Sequence, residues 1–383
     1  MTHYPRTVIV LAAGGTGGHM FPAEALAREL AARGFALALV TDRRGAAFGE
    51  GAGVEVHRIH AGQVIGNVFR KIAAVVQLGR GLLEARRLLR DLDPAIAIGF
   101  GGYASLPTML AAVHSSVLTV IHEQNAVLGR ANRMLASRVD AIATSFDQVL
   151  RLPRSGRAIM RRTGNPVRPE IAALSRRPYP APEADGPLQI LITGGSQGAT
   201  IFSSIVPLAV ASLPPELRSR LHLVQQCRAA DLEGVTQAYR ELGVAAELRP
   251  FFADMPEQLA RSQLVIGRAG ASTVAEITAA GRPAILVPYP AAMDDHQTAN
   301  ARALLRQRCA WLVHQPEFTP EKLRDMLGAL LAEPARLVDA ARRSREAGIP
   351  NAAAQLADMV AGLVSDGGTR ARSHGAGPRE AAE

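Results

Sequence analysis

The stretch Thr7-Val8-Ile9-Val10-Leu11-Ala12-Ala13-Gly14-Gly15-Thr16-Gly17-Gly18-His19 decides the fold. Its plan returns 180 positions later as Leu188-Gln189-Ile190-Leu191-Ile192-Thr193-Gly194-Gly195-Ser196-Gln197-Gly198-Ala199. In each, a largely apolar run reads as a strand buried on both faces, as strands of parallel sheets are. Each run ends in a turn of glycines and small polar residues that opens a predicted helix. Such a turn seats phosphate, because the first N–H groups of a helix are unpaired and carry about half a positive charge. Two seats predict an α/β chain of two Rossmann-like domains with parallel sheets, facing each other across a cleft. A group could then pass from one phosphate-bearing ligand to another.

The alternation continues outward from both turns. Strands are predicted at 36–41, 54–59, 95–99, 117–121 and 140–144, and helices at 22–33, 68–91, 105–114 and 128–138. Pro22 suits a first helical turn and Gly34 a helix stop. In the second half, strands are predicted at 221–225, 246–249, 263–267, 284–287 and 310–313. The helices there are 199–212, 230–242, 255–261, 272–280, 295–306, 319–332 and a final stretch 336–364. The domains follow: 1–165, a linker 166–187 ending in the proline-rich run Tyr179–Pro187, a second domain 188–340, a closing helix 341–365, and a tail 366–383 without apolar anchors that is expected to be disordered.

A chain of 383 residues exceeds what one core usually fills, and 48% hydrophobic content marks it as globular. A net charge of +9 favours an anionic partner: nucleic acid, acidic lipid or a phosphorylated substrate. Nucleic acid is the weakest of these, since aromatics are 4% and no basic-aromatic interleaving or zinc-finger spacing occurs. Cys227 and Cys309 stand too far apart to suggest a disulfide framework and read as reduced structural thiols. No run of 18 uncharged apolar residues is present, so the expectation is a soluble or peripherally attached protein.

The first turn does not fit the dinucleotide fingerprint G-x-G-x-x-G. Counted from Gly15, Met20 stands where the third glycine belongs, and a bulky side chain there hinders close helix–strand approach. The clustered glycines leave bare backbone for a ligand, and His19 at the helix mouth is a candidate contact to phosphate or a reacting hydroxyl. Phe100-Gly101-Gly102-Tyr103-Ala104-Ser105 is a further glycine turn, either a second phosphate pocket or a tight strand exit. His122-Glu123-Gln124-Asn125 follows a predicted strand, at the end where open α/β sheets hold ligands. Within it, Glu123 is a candidate base and Asn125 a hydrogen-bonding contact.

In the second half, Gly267-Arg268-Ala269-Gly270-Ala271-Ser272-Thr273-Val274-Ala275-Glu276 reads as strand exit, small-residue turn and helix start. A diphosphate fits its amides, and Glu276 one turn in could reach vicinal ribose hydroxyls. Its plainer reading is a first-turn acid favoured by the helix dipole. Arg168 in Gly164-Asn165-Pro166-Val167-Arg168 could hold phosphate. Gln297 and Asn300 in Asp294-Asp295-His296-Gln297-Thr298-Ala299-Asn300-Ala301 both donate and accept, which suits sugar hydroxyls. No second cluster completes a metal set, so no metal is expected. The run Val64–Val76, continuing to Arg80, Arg86 and Arg87, mixes apolar and basic residues; it suits either an anionic membrane surface or an ordinary core helix.

Taken together, GGTGGHMFPA (14–23), GFGGYAS (99–105), HEQNAVLGRANR (122–133), GNPVR (164–168), GGSQGA (194–199), GRAGASTVAEI (267–277) and DDHQTANA (294–301) closely resemble the MurG family, the N-acetylglucosaminyltransferases that make lipid II in bacterial peptidoglycan synthesis. The resemblance spans residues 7–360 and implies a GT-B fold, with a lipid-linked acceptor on the N-terminal domain and UDP-N-acetylglucosamine on the C-terminal one. The family's donor-site residues fall on Thr16, Gly17, Gly18, Asn125, Arg168, Ser196, Ala271, Ser272, Thr273, Val274, Ala275, Glu276 and Gln297, and its uracil contact on Phe252.

The expected reaction is a displacement with inversion, needing no cofactor, in which the acceptor sugar's 4-hydroxyl attacks while UDP leaves. His19 is the leading base and Glu123 the second, with Gly14, Gly15, Gly101 and Gly102 around the acceptor's diphosphate. The implied partners are the undecaprenyl-pyrophosphate-linked acceptor (lipid I), the cytoplasmic face of the cell membrane and other wall-building enzymes. Three alternatives stay open: a GT-B transferase with another acceptor, a UDP-N-acetylglucosamine epimerase-like enzyme, and a non-enzymatic nucleotide-sugar binder.

Overall fold

The computed structural model describes residues 7–14, 17–42, 54–61, 68–115, 117–153, 156, 158–195 and 198–375. The chain forms two compact units, the first of Met1–Gln124, Leu128–Pro166 and Asn351–Glu383, the second of Asn125–Val127 and Val167–Pro350.

The first unit holds a seven-stranded parallel sheet built from β1 (Val8–Ala12), β2 (Ala36–Thr41), β3 (Glu55–Arg58), β4 (Ile96–Gly99), β5 (Leu118–Glu123), β6 (Ala141–Thr144) and β7 (Ile159–Arg162). Their order across the sheet is β3-β2-β1-β4-β5-β6-β7. Period-two alternation sends Ile9 and Leu11 to one face of β1, and Val10 and Ala12 to the other. Ile9 and Leu11 pack with Leu26 and Leu30 of the helix Gly17–Ala32, and with Leu356 and Val360 of the terminal helix Ala352–Gly375. Val10 and Ala12 meet Ala85 and Leu89 of the helix Val68–Leu92 and Met109 of the helix Leu106–Val113. Each fully buried Val, Leu, Ile or Met side chain here contributes about 1.5–3 kcal/mol of transfer free energy.

The second unit holds a six-stranded parallel sheet of β8 (Leu188–Thr193), β9 (Leu221–Gln226), β10 (Ala245–Arg249), β11 (Leu264–Gly267), β12 (Ala284–Leu286) and β13 (Ala310–Leu312), in the order β10-β9-β8-β11-β12-β13. Ile190 and Ile192 of β8 share a core with Phe202 and Val206 of the helix Thr200–Ala211, and with Leu323 and Leu327 of the helix Pro320–Ala332.

In both sheets the strand order reverses direction beside the first strand, and such switch points are where open α/β sheets bind ligands. The register there is close. Ala12 pairs with Gly99 in the first sheet and Thr193 with Gly267 in the second, so two glycine-bearing turns leave each sheet side by side.

Several expectations are revised. The first helix begins at Gly17, five residues before Pro22, which lies inside it. Proline there forgoes the hydrogen bond to the carbonyl of Gly18, and its ring crowds that carbonyl. Strand β7 was not anticipated, because Ile-Met-Arg-Arg is exposed at all four positions and shows no buried-strand pattern. The final helical stretch is two helices, Pro334–Ala347 and Ala352–Gly375, separated at Pro350. Of residues 166–187, read as a linker, Pro166 belongs to the first unit and 167–187 fold with the second: Ile171 and Leu174 are buried, and Tyr179 Oη donates to the Gln263 carbonyl at 2.8 Å. The terminal helix runs to Gly375, into the expected tail, and residues 376–383 lie outside the described residues.

Candidate active site

In the first unit, the backbone at Gly14 lies so close to the turn after β4 that a Cβ there would collide with Ala104. Gly101 and Gly102 hold φ of +84° and +77°, a left-handed conformation that favours glycine. The His19 ring rests against them, since a Cβ at Gly102 would come within 3.3 Å of it. Strand β1, the first helical turn and the β4 exit thus converge on one imidazole. Gly17 and Gly18 open that helix, whereas Gly15 and Thr16 lie outside the described residues.

Strand β5 supplies the floor. His122 is fully buried, its Nε2–H donating to the Gly164 carbonyl at 2.9 Å while its Nδ1 accepts from Gln124 Nε2 at 3.1 Å. Burial, helped by the nearby His19, lowers its pKa to about 4, so the ring is neutral. Gln124 Nε2 also donates to the Phe100 carbonyl at 2.8 Å, which steadies the glycine turn.

Glu123 is 1% exposed, and its Oε2 accepts from Gly129 N at 2.8 Å and from Asn132 Nδ2 at 2.9 Å. That carboxylate holds up the start of the helix Arg130–Leu135. A group so enclosed orders the loop and is poorly placed to collect a substrate proton.

In the second unit, the Gly194 turn leaves β8 with no room for a side chain, since a Cβ there would collide with Ala199 N. Gly195 and Gly198 have φ of +80° and +66°, and Ser196 lies outside the described residues. Beside this turn, the exit of β11 opens the helix Ala271–Ala280, with Gly270 as its extended N-cap. Ala271, Ser272 and Thr273 therefore present first-turn amides. Ser272 Oγ is buried and finds no partner among the described residues. Val274 is buried at 4% exposure, so its side chain anchors the helix, and Ala275 offers only a methyl group.

Glu276 lies one turn in, its Oε1 3.4 Å from Arg168 Nη2, with side-chain exposures of 19% and 31%. Burial raises the Glu276 pKa although Arg168 acts against it. Gln297 Oε1 accepts from Tyr289 N at 2.9 Å, which leaves its NH2 as the end able to donate to a ligand. The preceding Asp294 and Asp295 hold φ of 55° and 54°, strained for non-glycine residues, while His296 Nδ1 is 2.8 Å from the Met293 carbonyl.

Three side chains set this geometry without having been singled out for it. Arg268, 8% exposed, donates to the carbonyls of Val287 and Pro288 at 3.0 and 3.1 Å and to Gln315 Oε1 at 2.7 Å, with Phe202 and Tyr289 rings nearby at 5.5 and 5.4 Å. Asn300, read from sequence as a sugar contact, is fully buried. Its Oδ1 accepts from Ala126 N at 2.8 Å, and its Nδ2 donates to Asn125 Oδ1 at 3.1 Å and to the Ala269 carbonyl at 3.0 Å. It orients Asn125 rather than a ligand. Gln226 joins the Gly194 turn to Pro250; its signal in the sequence is a glutamine pair ending the apolar strand next to β8.

Phe252 is 2% exposed beneath the Arg249 guanidinium at 5.4 Å, whereas Phe251 is 66% exposed. The Phe252 ring therefore belongs to the interior, and of the two phenylalanines only Phe251 presents its side chain to solvent. Among the described residues, no group of three His, Cys, Asp or Glu side chains could hold a metal ion.

Residues 9–144 match the glycosyltransferase family 28 N-terminal domain, and residues 189–356 match the glycosyltransferase family 28 C-terminal domain. A relative from Rhodospirillum centenum is 57% identical over 94% of this chain and 96% of its own. Another, from Paramagnetospirillum magneticum, is 52% identical over 94% of this chain and 97% of its own. Both are named UDP-N-acetylglucosamine–N-acetylmuramyl-(pentapeptide) pyrophosphoryl-undecaprenol N-acetylglucosamine transferase. The crystal structure of MurG from Acinetobacter baumannii superimposes with a TM-score of 0.74 at 31% identity, covering 93% of this chain and 99% of that one.

Proposed function

Because the chain belongs to glycosyltransferase family 28, we propose that it moves N-acetylglucosamine from UDP-N-acetylglucosamine to the 4-hydroxyl of N-acetylmuramic acid in lipid I, giving lipid II for peptidoglycan synthesis. The observation that carries this reading is the pair of glycine turns at the switch point of each sheet. In the second unit they stand with an acid for ribose (Glu276), a guanidinium (Arg168) and an amide for sugar hydroxyls (Gln297).

The donor lies on the second unit. Its diphosphate rests on the amides of Ala271–Thr273 and on Arg168, with the Ser272 hydroxyl and Ser196 as further donors; Glu276 accepts from the ribose hydroxyls. The main chain of Pro250–Asp254 reads the base. Gln297 donates to the sugar, and Asn125, held by Asn300, supports it. The acceptor's diphosphate takes the glycines of the Gly14–Gly18 and Gly101–Gly102 turns.

The acceptor oxygen attacks the anomeric carbon, and the bond from that carbon to the diphosphate oxygen breaks with inversion. His19 takes the hydroxyl proton, a role worth ~100- to 10,000-fold in rate. Oriented amides and Arg168 stabilise the charge that develops on the leaving UDP. Glu123 positions the acceptor-side loop.

The protein works peripherally at the cytoplasmic face of the membrane, alongside other wall-building enzymes. Among the described residues no helix is long and apolar enough to cross a membrane. The helix Val68–Leu92 supports peripheral attachment: it buries Ala85 and Leu89 while Val76 and Leu83 stand 51% and 57% exposed among Arg80, Arg86 and Arg87. Of the run Val64–Val76, residues 64–67 lie outside the described residues.

The test is donor consumption by the purified protein with and without a lipid I analogue. Consumption that depends on acceptor supports transfer. Donor hydrolysed or epimerised without acceptor, or bound without turnover, would replace this reading by an epimerase-like enzyme or a binding protein.

A further inference from the structure

We infer that Gln226 is a positioning residue that makes base recognition and diphosphate binding a single event, an inference that rests on the UDP-sugar reading of the second unit. Gln226 ends β9, which lies between β10 and β8, and it is 4% exposed. Toward β8, its Oε1 accepts from Thr193 Oγ1 at 3.0 Å and from Gly194 N at 3.2 Å. Thr193 Oγ1 in turn accepts from Gly195 N at 3.2 Å. Toward β10, its Nε2 donates to the Pro250 carbonyl at 3.2 Å.

One buried amide therefore fixes both the glycine turn that seats phosphate and the first residue of the segment that reads the base. Both ends are needed. A carboxylate at this position would keep the acceptor but lose the donor to Pro250, and an apolar chain would lose both. The turn is closely packed on itself, since a Cβ on Gly194 would collide with Ala199 N. A displacement of Pro250 is thus passed to the Gly194 and Gly195 amides, and the reverse holds equally by linkage.

The experiment compares wild type, Gln226→Met, Thr193→Val and the double variant. It measures affinity for UDP and CDP by calorimetry, with donor KM, acceptor KM and kcat alongside. Wild type is expected to prefer UDP. Gln226→Met should lose about tenfold or more in UDP affinity, as expected for two or three hydrogen bonds, and most of its preference over CDP. Acceptor KM should stay unchanged, and kcat at saturating donor should change far less than donor KM.

Thr193→Val breaks the same link from the turn side and should reproduce the effect, with the double variant no worse than Gln226→Met alone. It also serves if Gln226→Met fails to fold. Retention of the UDP preference in the variants, or strict additivity of the two losses, would overturn the inference while leaving the transferase reading intact. Absence of UDP binding by wild type would overturn both.

Discussion

Acid should loosen the first unit at β5, through His122. Both its ring nitrogens are engaged by the neutral imidazole, one toward Gly164 and the other toward Gln124. Protonation would set an N–H against the Gln124 NH2 in a site without water access. The pKa falls from the ordinary 6.5 to about 4. A histidine lowered on folding contributes stability that is complete above the unfolded value and disappears as pH falls through the folded one. The gap corresponds to about 3 kcal/mol, of which about 2 is lost by pH 5.

In histidine-labelled protein followed by NMR from pH 7.5 to 5, the His122 signal, assigned by its loss in His122→Gln, should stay at its neutral position, since the pKa lies at about 4. Amide exchange of residues 118–123 reads the consequence: an opening free energy lower by ~2 kcal/mol at pH 5 in wild type and nearly constant in His122→Gln. A His122 signal titrating near 6.5, or equal acid weakening in both proteins, would refute the reasoning.

Other substitutions test the chemistry. His19→Ala should lower kcat by ~100- to 10,000-fold and leave UDP affinity nearly intact by calorimetry; normal turnover would remove His19 from the mechanism. Glu276→Gln should weaken UDP binding by about tenfold or more through loss of a charged acceptor. Since burial raises the pKa of this acid, donor affinity in wild type should fall as pH drops through that raised value, and the Gln variant should show a flatter profile. Leu83→Glu should reduce sedimentation with anionic lipid vesicles while transfer to a water-soluble acceptor is kept, and unchanged sedimentation would exclude this helix face from membrane contact.

The strand and helix pattern was largely legible, because both sheets are parallel and buried, so each strand announces itself as an apolar run. Legibility failed where that signal is absent. Strand β7 is exposed at every position, and the first helix starts five residues before the proline that suggested its beginning. The assignment of 167–187 turned on two buried residues, Ile171 and Leu174, in a stretch without periodicity.

At the candidate site, the glycine turns were visible as composition, but the roles of polar residues depend on where their atoms point. Glu123, read as a candidate base, and Asn300, read as a sugar contact, are buried and engaged with the protein's own groups, and the Phe252 ring, which the family resemblance places at the uracil, is buried under Arg249. Gln226 and Arg268 look ordinary and hold the loops together.

Analysis of the disaccharide product tests the central claim most directly. Purified protein, labelled UDP-N-acetylglucosamine and a lipid I analogue should yield a single lipid-linked disaccharide joined β-1,4, matched one for one by released UDP. An α-linkage, attachment at another hydroxyl, or free N-acetylglucosamine as the only labelled product would contradict it.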